Sequence, residues 1–169
     1  MTQVDRRGVA LGGFMGTGKT TVGARLAERL GLPFVDMDAE LAERFGELPE
    51  QFARDGEQAF RLRESALVSE LCDGVPRVVA TGGGAWVSPG NRARLRRHYH
   101  AVVLEAPLGV LEDRVGGGGG RPLWHEAARL LESRSDAYAD ADLHVDTSQH
   151  TIEEVVDRIV AWLHAQEQA

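Results

Sequence analysis

The stretch Gly13-Phe14-Met15-Gly16-Thr17-Gly18-Lys19-Thr20 narrows the folds open to this chain more than any other. It fits the pattern Gly-x-x-x-x-Gly-Lys-Thr. Glycines in such a loop let the backbone curl until successive N–H groups point inward at phosphate oxygens. A following helix adds its positive N-terminal end. Lys19 then reaches the terminal phosphates, and the Thr20 hydroxyl is a candidate Mg²⁺ ligand. The pattern carries this meaning only between a strand and a helix. Gly8-Val9-Ala10-Leu11 has strand character, and Val22, Leu26 and Leu30 recur at helical spacing over residues 21–30, so both flanks are right.

The rest of the chain alternates in the same way. Short strands are expected over residues 33–38, 77–81, 101–105 and 143–146, and helices over 39–45, 49–52, 56–72, 90–98, 107–115, 125–138 and 151–166. Gly31 is a natural stop for the first helix. The strands are continuous apolar runs, as burial on both faces requires. The pattern predicts an α/β fold: three layers, α/β/α, around a central five-stranded parallel sheet. Ligands of such sheets lie beyond the carboxyl ends of the strands. The phosphate loop, the pair Asp36 and Asp38, and the run Gly82-Gly83-Gly84 all follow strand ends, so all three can line one cleft.

Charge and composition remove several function classes. The chain has 169 residues, enough for one domain with a sizeable core, and a formal net charge of −7. An acidic balance argues against a nucleic-acid backbone as partner. The lone Cys72 excludes an internal disulfide framework and reads as a small buried hydrophobe. No apolar run is long enough to span a membrane, and the N-terminus is not a signal peptide. The expectation is a cytoplasmic monomer whose partners are small molecules. A guanine-reading Asn-Lys-x-Asp is absent, which argues against a GTPase switch.

Four further groups carry chemistry. On an extended segment Asp36 and Asp38 project to one side, fit to hold the water around Mg²⁺ and to accept a hydroxyl proton. Spacing alone allows equally that Asp38 caps the next helix. Arg61 and Glu64 share a helix face and can pair, though a solvated pair of that kind contributes little. Gly82–Gly84 lets a ligand approach the backbone. Arg114, Arg121, Arg129 and Arg134 surround a glycine run at 116–120 and suit planar capture of carboxylate or phosphate, with Arg129 read as ordinary surface charge.

In this order, across about residues 8–165, the motifs resemble the shikimate kinase family of small P-loop kinases. The resemblance rests on the phosphate loop, Asp36-Met37-Asp38, Gly56-Glu57 through Phe60-Arg61 and Glu64, Ala80-Thr81-Gly82-Gly83-Gly84, Arg121-Pro122-Leu123, and Arg134 with Tyr138. It implies one kinase domain over 1–169, with a lid near 115–125 and a substrate-binding helical region near 38–64. It implies ATP-dependent phosphorylation of the 3-hydroxyl of shikimate. Gly16, Thr17, Gly18, Lys19, Thr20 and Thr21 would hold ATP, with Arg114 beside the adenine and Arg121 folding over the phosphates. Asp38, Arg61, Gly82, Gly83, Gly84 and Arg134 would hold shikimate, the arginines taking its carboxylate and Asp38 its hydroxyls. Thr20 and Asp36 would serve Mg²⁺, and Lys19, Asp38 and Arg121 the chemistry. The lid is almost pure glycine before Arg121, so its ordering loses more entropy than usual; the expectation is a lid disordered without ligands that closes weakly. A kinase of another small hydroxylated acid such as gluconate is the nearest alternative, and a non-catalytic nucleotide-binding module the next.

Overall fold

The computed structural model describes residues 6–116 and 124–169. Arg121 and most of the expected lid therefore lie outside the described residues. Five strands form one parallel sheet in the order β2-β3-β1-β4-β5: β1 Gly8–Gly12, β2 Phe34–Asp36, β3 Val78–Ala80, β4 Tyr99–Glu105 and β5 Leu143–Asp146. β1 lies at the centre, hydrogen-bonded to β3 on one side and β4 on the other, so the loop that leaves it stands over the middle of the sheet.

Successive strand residues feed opposite faces. Val9, Leu11, Val78, Val102 and Leu104 pack under α1 (Lys19–Leu30) and α10 (Ile152–Glu167). Ala10, Val79, Ala101 and Val103 face the other layer. That layer includes α2 (Met37–Phe45), α3 (Leu48–Asp55), α4 (Glu57–Leu71), α5 (Gly83–Val87), α6 (Pro89–His98), α7 (Leu108–Gly116), α8 (Trp124–Ser133) and α9 (Ser135–Ala139). The fully buried Trp86 anchors this second face. Its indole lies against Gly12, where a Cβ would fall 2.7 Å from the ring, and its Nε1–H donates to Ala137 O at 3.0 Å.

Helix ends follow local chemistry. Gly31 takes φ 65 at the end of α1, a left-handed conformation that glycine adopts without steric cost. Thr151 and Glu154 form a reciprocal capping box at the start of α10, a Thr-x-x-Glu signature that marks a helix start.

Four expectations need correction. The strand read through Asp38 stops at Asp36, and α2 begins at Met37. The cap is Asp36, whose Oδ1 accepts from Ala39 N–H at 3.1 Å; Asp38 stands in the first helical turn, where its charge also favours the helix dipole. The single helix expected over 125–138 is two, broken at Arg134. There Ser133 Oγ turns back to Leu130 O at 2.7 Å, and the Arg134 N–H is shared between Leu130 O and Leu131 O, so the regular ladder lapses. Third, the helical turn expected at 49–52 is α3, two turns long, and a short helix not expected from the sequence, α5, opens at Gly83. Fourth, Cys72 is half-buried at the end of α4, its N–H bonded to Val68 O and Ser69 O, rather than a fully buried small hydrophobe.

Candidate active site

Beyond the carboxyl ends of β1, β2 and β3 lies a cleft of about 640 Å³. The backbone of the phosphate loop forms one wall. Gly16 (φ 81) and Gly18 (φ 98) hold left-handed conformations that turn the loop back onto the N-terminus of α1. Lys19 folds over its own loop, its Nζ donating to Gly13 O at 2.5 Å and Phe14 O at 3.2 Å. Burial draws its pKa down to about 8; Asp38 and Asp36 oppose the shift and Arg134 adds to it. Thr21 and Gly16 also border the cleft. Thr17 is turned inward, 1% exposed, with Oγ1 donating to Phe14 O at 2.7 Å.

Thr20 and Asp36 meet directly: the Thr20 hydroxyl donates to Asp36 Oδ2 while Asp36 Oδ1 caps α2. A hydroxyl that gives its proton to a carboxylate turns its lone pairs outward, which suits a hard cation. Asp36, with both oxygens engaged, suits contact through the cation's water shell. Among the described residues no three His, Cys, Asp or Glu side chains gather as a metal cage. The donor set fits an ion held by one hydroxyl, water and a ligand's phosphates.

The opposite wall comes from α2, α4, α5 and the α8–α9 break. Asp38 has its pKa raised by desolvation and by Asp36, against the lowering fields of Lys19 and Arg61. Arg61 Nη1 donates to Glu64 at 2.9 Å and Nη2 to Glu57 at 3.3 Å. The pair read from spacing as solvated is half-interior, since Glu64 is 2% exposed. Burial raises the Glu64 pKa while Arg61 holds it down. Arg61 also stands over the rings of Phe60 and Phe52, 5.5 and 6.0 Å from their centroids.

The triple glycine explains how these side chains meet. None of the three has a positive φ, so backbone freedom is not what they supply. They supply room. A Cβ on Gly84 would fall 1.7 Å from Arg61 Nη1, on Gly83 2.7 Å from Arg134 Nη1, and on Gly82 2.7 Å from Asp38 Oδ1 and 3.0 Å from Glu64 Oε2. Gly83 and Gly84 line the cleft, whereas Gly82 is buried behind it.

Arg114 sits on the far shoulder of the loop. Its guanidinium bonds Gly16 O at 3.2 Å, Thr147 Oγ1 at 2.9 Å and Thr147 O at 2.8 Å, beside a second cavity of about 220 Å³ bounded by Thr21 and His150. Of the site residues named from the sequence within the described chain, most border this one cleft, whereas Thr17 and Gly82 are buried beside it and Asp36 stands behind Thr20. Thr147 was not among those named, although it follows a strand end as the others do. Its hydroxyl also reaches Thr17 O at 3.0 Å, so it braces the loop from behind.

A family model described as "Shikimate kinase" matches residues 15–164. The chain belongs to the shikimate kinase family. A curated shikimate kinase from Geobacter sulfurreducens is 46% identical over 166 residues, covering 94% of this chain and 92% of its own length. A second, from Ruegeria pomeroyi, is 44% identical, covering 92% and 84%. Among solved structures, the shikimate kinase of Acinetobacter baumannii in complex with shikimate superposes with a TM-score of 0.87 at 32% identity, covering 96% of both chains. The parallel order β2-β3-β1-β4-β5 is therefore the shikimate kinase architecture, with the cleft on the strands' carboxyl side.

Proposed function

We propose that this protein transfers the γ-phosphoryl group of ATP to the 3-hydroxyl of shikimate, giving shikimate 3-phosphate and ADP. One observation carries the reading: Asp38 lines the same cleft as Lys19, from the phosphate loop, and Arg61, from the opposite wall. A carboxylate so placed faces a nucleotide and an anionic acceptor at once. The names of the relatives, and the shikimate bound to the Acinetobacter protein, support shikimate as that acceptor.

In this reading the backbone of Gly16, Thr17 and Gly18 and the side chains of Lys19, Thr20 and Thr21 hold the phosphates, and Arg114 flanks the adenine. Arg61 and Arg134 take the acceptor's carboxylate, Gly83 and Gly84 let its ring lie close to the backbone, and Gly82 supports them from behind by leaving room for Asp38. Asp38 accepts the proton of the 3-hydroxyl as that oxygen bonds to phosphorus and the bond to ADP breaks. Its raised pKa suits it to that proton. Thr20, and Asp36 through water, would hold Mg²⁺, which would supply positive charge to the phosphate oxygens. Lys19 supplies the same from the protein, and Arg121 does so from the lid. Transfer of this kind is mostly positioning and charge stabilisation, and this chain provides both on fixed elements. The whole chain 1–169 acts as one kinase domain, with its lid near 115–125 and its acceptor-binding helices near 38–64.

The test is coupled ADP release with ATP and Mg²⁺, comparing shikimate with gluconate and nucleoside monophosphates. We expect kcat/KM for shikimate to exceed the others by about a hundredfold or more. Asp38→Asn should lower kcat by about 10²–10⁴ with the circular dichroism spectrum unchanged. ATP binding without turnover on any acceptor would instead support a non-catalytic module.

A further inference from the structure

We propose that Tyr138 is a positioning residue: its hydroxyl accepts a hydrogen bond from the Arg134 guanidinium when an acceptor carboxylate is bound, and so fixes the plane of that guanidinium. The inference rests on the acceptor reading given above.

Two adjacent groups lack partners. Tyr138 is 6% exposed, and its hydroxyl makes no hydrogen bond. Leaving a buried hydroxyl unsatisfied is unfavourable, and Phe in its place would avoid the penalty. The other group is Arg134. Arg61 is held by Glu64 and Glu57, and Arg114 by Gly16 and Thr147. Among the described residues no carboxylate pairs with Arg134, although it lines the cleft.

The two are neighbours by construction. Arg134 stands at the α8–α9 break, and Tyr138 is one helical turn on, its N–H donating to Arg134 O at 3.0 Å. Burial pushes the Tyr138 hydroxyl's pKa up, and the charge and hydrogen-bonding approach of the Arg134 guanidinium oppose it, so the two groups already face each other short of a formed bond. The ring's backbone is pinned on both sides: Trp86 donates to Ala137 O, and His144 Nε2 lies 3.0 Å from Tyr138 O. A fixed phenol beside a guanidinium that no described carboxylate holds is an arrangement one step short of a contact. A guanidinium has five N–H groups in a planar fork; two serve a bound carboxylate and a lateral one remains for the phenol oxygen. Contacts of this kind are often long in the empty site and tighten when ligand arrives.

Tyr138→Phe tests it. We expect the shikimate KM to rise about tenfold, the worth of one hydrogen bond to a charged group, while kcat and the ATP KM stay within about twofold and the melting temperature holds or rises. In an Arg134→Lys background, where no fork exists, adding Tyr138→Phe should have no further effect. An unchanged shikimate KM, an equal rise in the ATP KM, or a tenfold rise that persists in the Arg134→Lys background would each overturn the proposal. Wild-type turnover is measured first: if the unaltered protein phosphorylates no shikimate, the acceptor reading falls and this proposal with it, whereas normal wild-type turnover with an indifferent Tyr138→Phe removes this proposal alone. Should the variant not fold, 3-fluorotyrosine labelling reads the contact in the intact sequence. The chain has two tyrosines, Tyr99 and Tyr138. Shikimate should move the Tyr138 fluorine resonance and leave that of Tyr99; a static Tyr138 resonance would overturn the proposal.

Discussion

Lys19 illustrates how a single side chain can be held ready at some cost. Its ammonium sits on the carbonyls of Gly13 and Phe14, and burial outweighs the two aspartates that favour its charge. With the pKa lowered to about 8 in the free protein, the charged form dominates below that value and is lost as pH rises through it. Only the charged form attracts a triphosphate. We therefore expect kcat/KM for ATP, which reports the free enzyme, to fall above pH about 8 by tenfold per unit. At saturating ATP the bound phosphates favour the ammonium, so the fall in kcat should begin at higher pH. Coincident profiles would contradict this assignment. Asp38 sets the other limb. Its pKa is raised, so the group gains its charge only above the usual carboxylate range, and the acid limb of kcat should lie higher than that of an ordinary aspartate. That limb should disappear in Asp38→Asn. Lys19 was legible from its motif, but the depression of its pKa was not, because it arises from burial that no local pattern encodes.

At the scale of elements, the triple glycine is the feature the sequence revealed only in part. It signals close approach, and close approach is what it provides. The approaching groups, however, are the protein's own side chains from α2, α4 and the α8–α9 break, brought together only by the tertiary fold. Gly84→Ala should push Arg61 from its place beside Glu64 and raise the acceptor KM about tenfold or more, with the ATP KM little changed. Gly90→Ala is the control: nothing lies within 4 Å of a Cβ there, and α6 should tolerate it or gain. An unaffected acceptor KM in Gly84→Ala would show that Arg61 can relocate freely. The Asp pair was misread for a related reason. Asp36 fits both the end of a strand and the cap of a helix, and local spacing does not decide where one ends and the other begins. The capping box of α10 was legible at Thr151 and Glu154; Thr151→Ala should destabilise the fold by about 1 kcal/mol in urea melts without touching either KM.

Over the whole molecule, periodicity revealed the layers and the parallel sheet. The strand order did not follow from it, because alternation in sequence fixes handedness and not neighbours. Trp86 is where the order matters most. It joins Gly12, at the end of the central strand, to Ala137 in α9, and the phosphate loop and Arg134 follow from those two points. Trp86→Phe removes the Ala137 bond and part of the ring over Gly12. We expect a loss of about 2–4 kcal/mol in stability, read from urea denaturation, and weaker binding of both substrates. A loss confined to one substrate would show that the two halves of the site are not held through this ring.

The central place of β1 has a consequence for traffic. One shoulder of the phosphate loop opens onto the cavity by Arg114 and Thr147, beyond β4 and β5; the other opens onto the cleft between α2, α4 and α5. The two cavities share Gly16, Gly18, Thr21 and Arg114, so the phosphates and the acceptor meet there while each keeps an outlet on its own side. A nucleotide can depart while the acceptor stays seated, and the reverse. The geometry imposes no queue, so initial-rate patterns should show a random order of addition and of release.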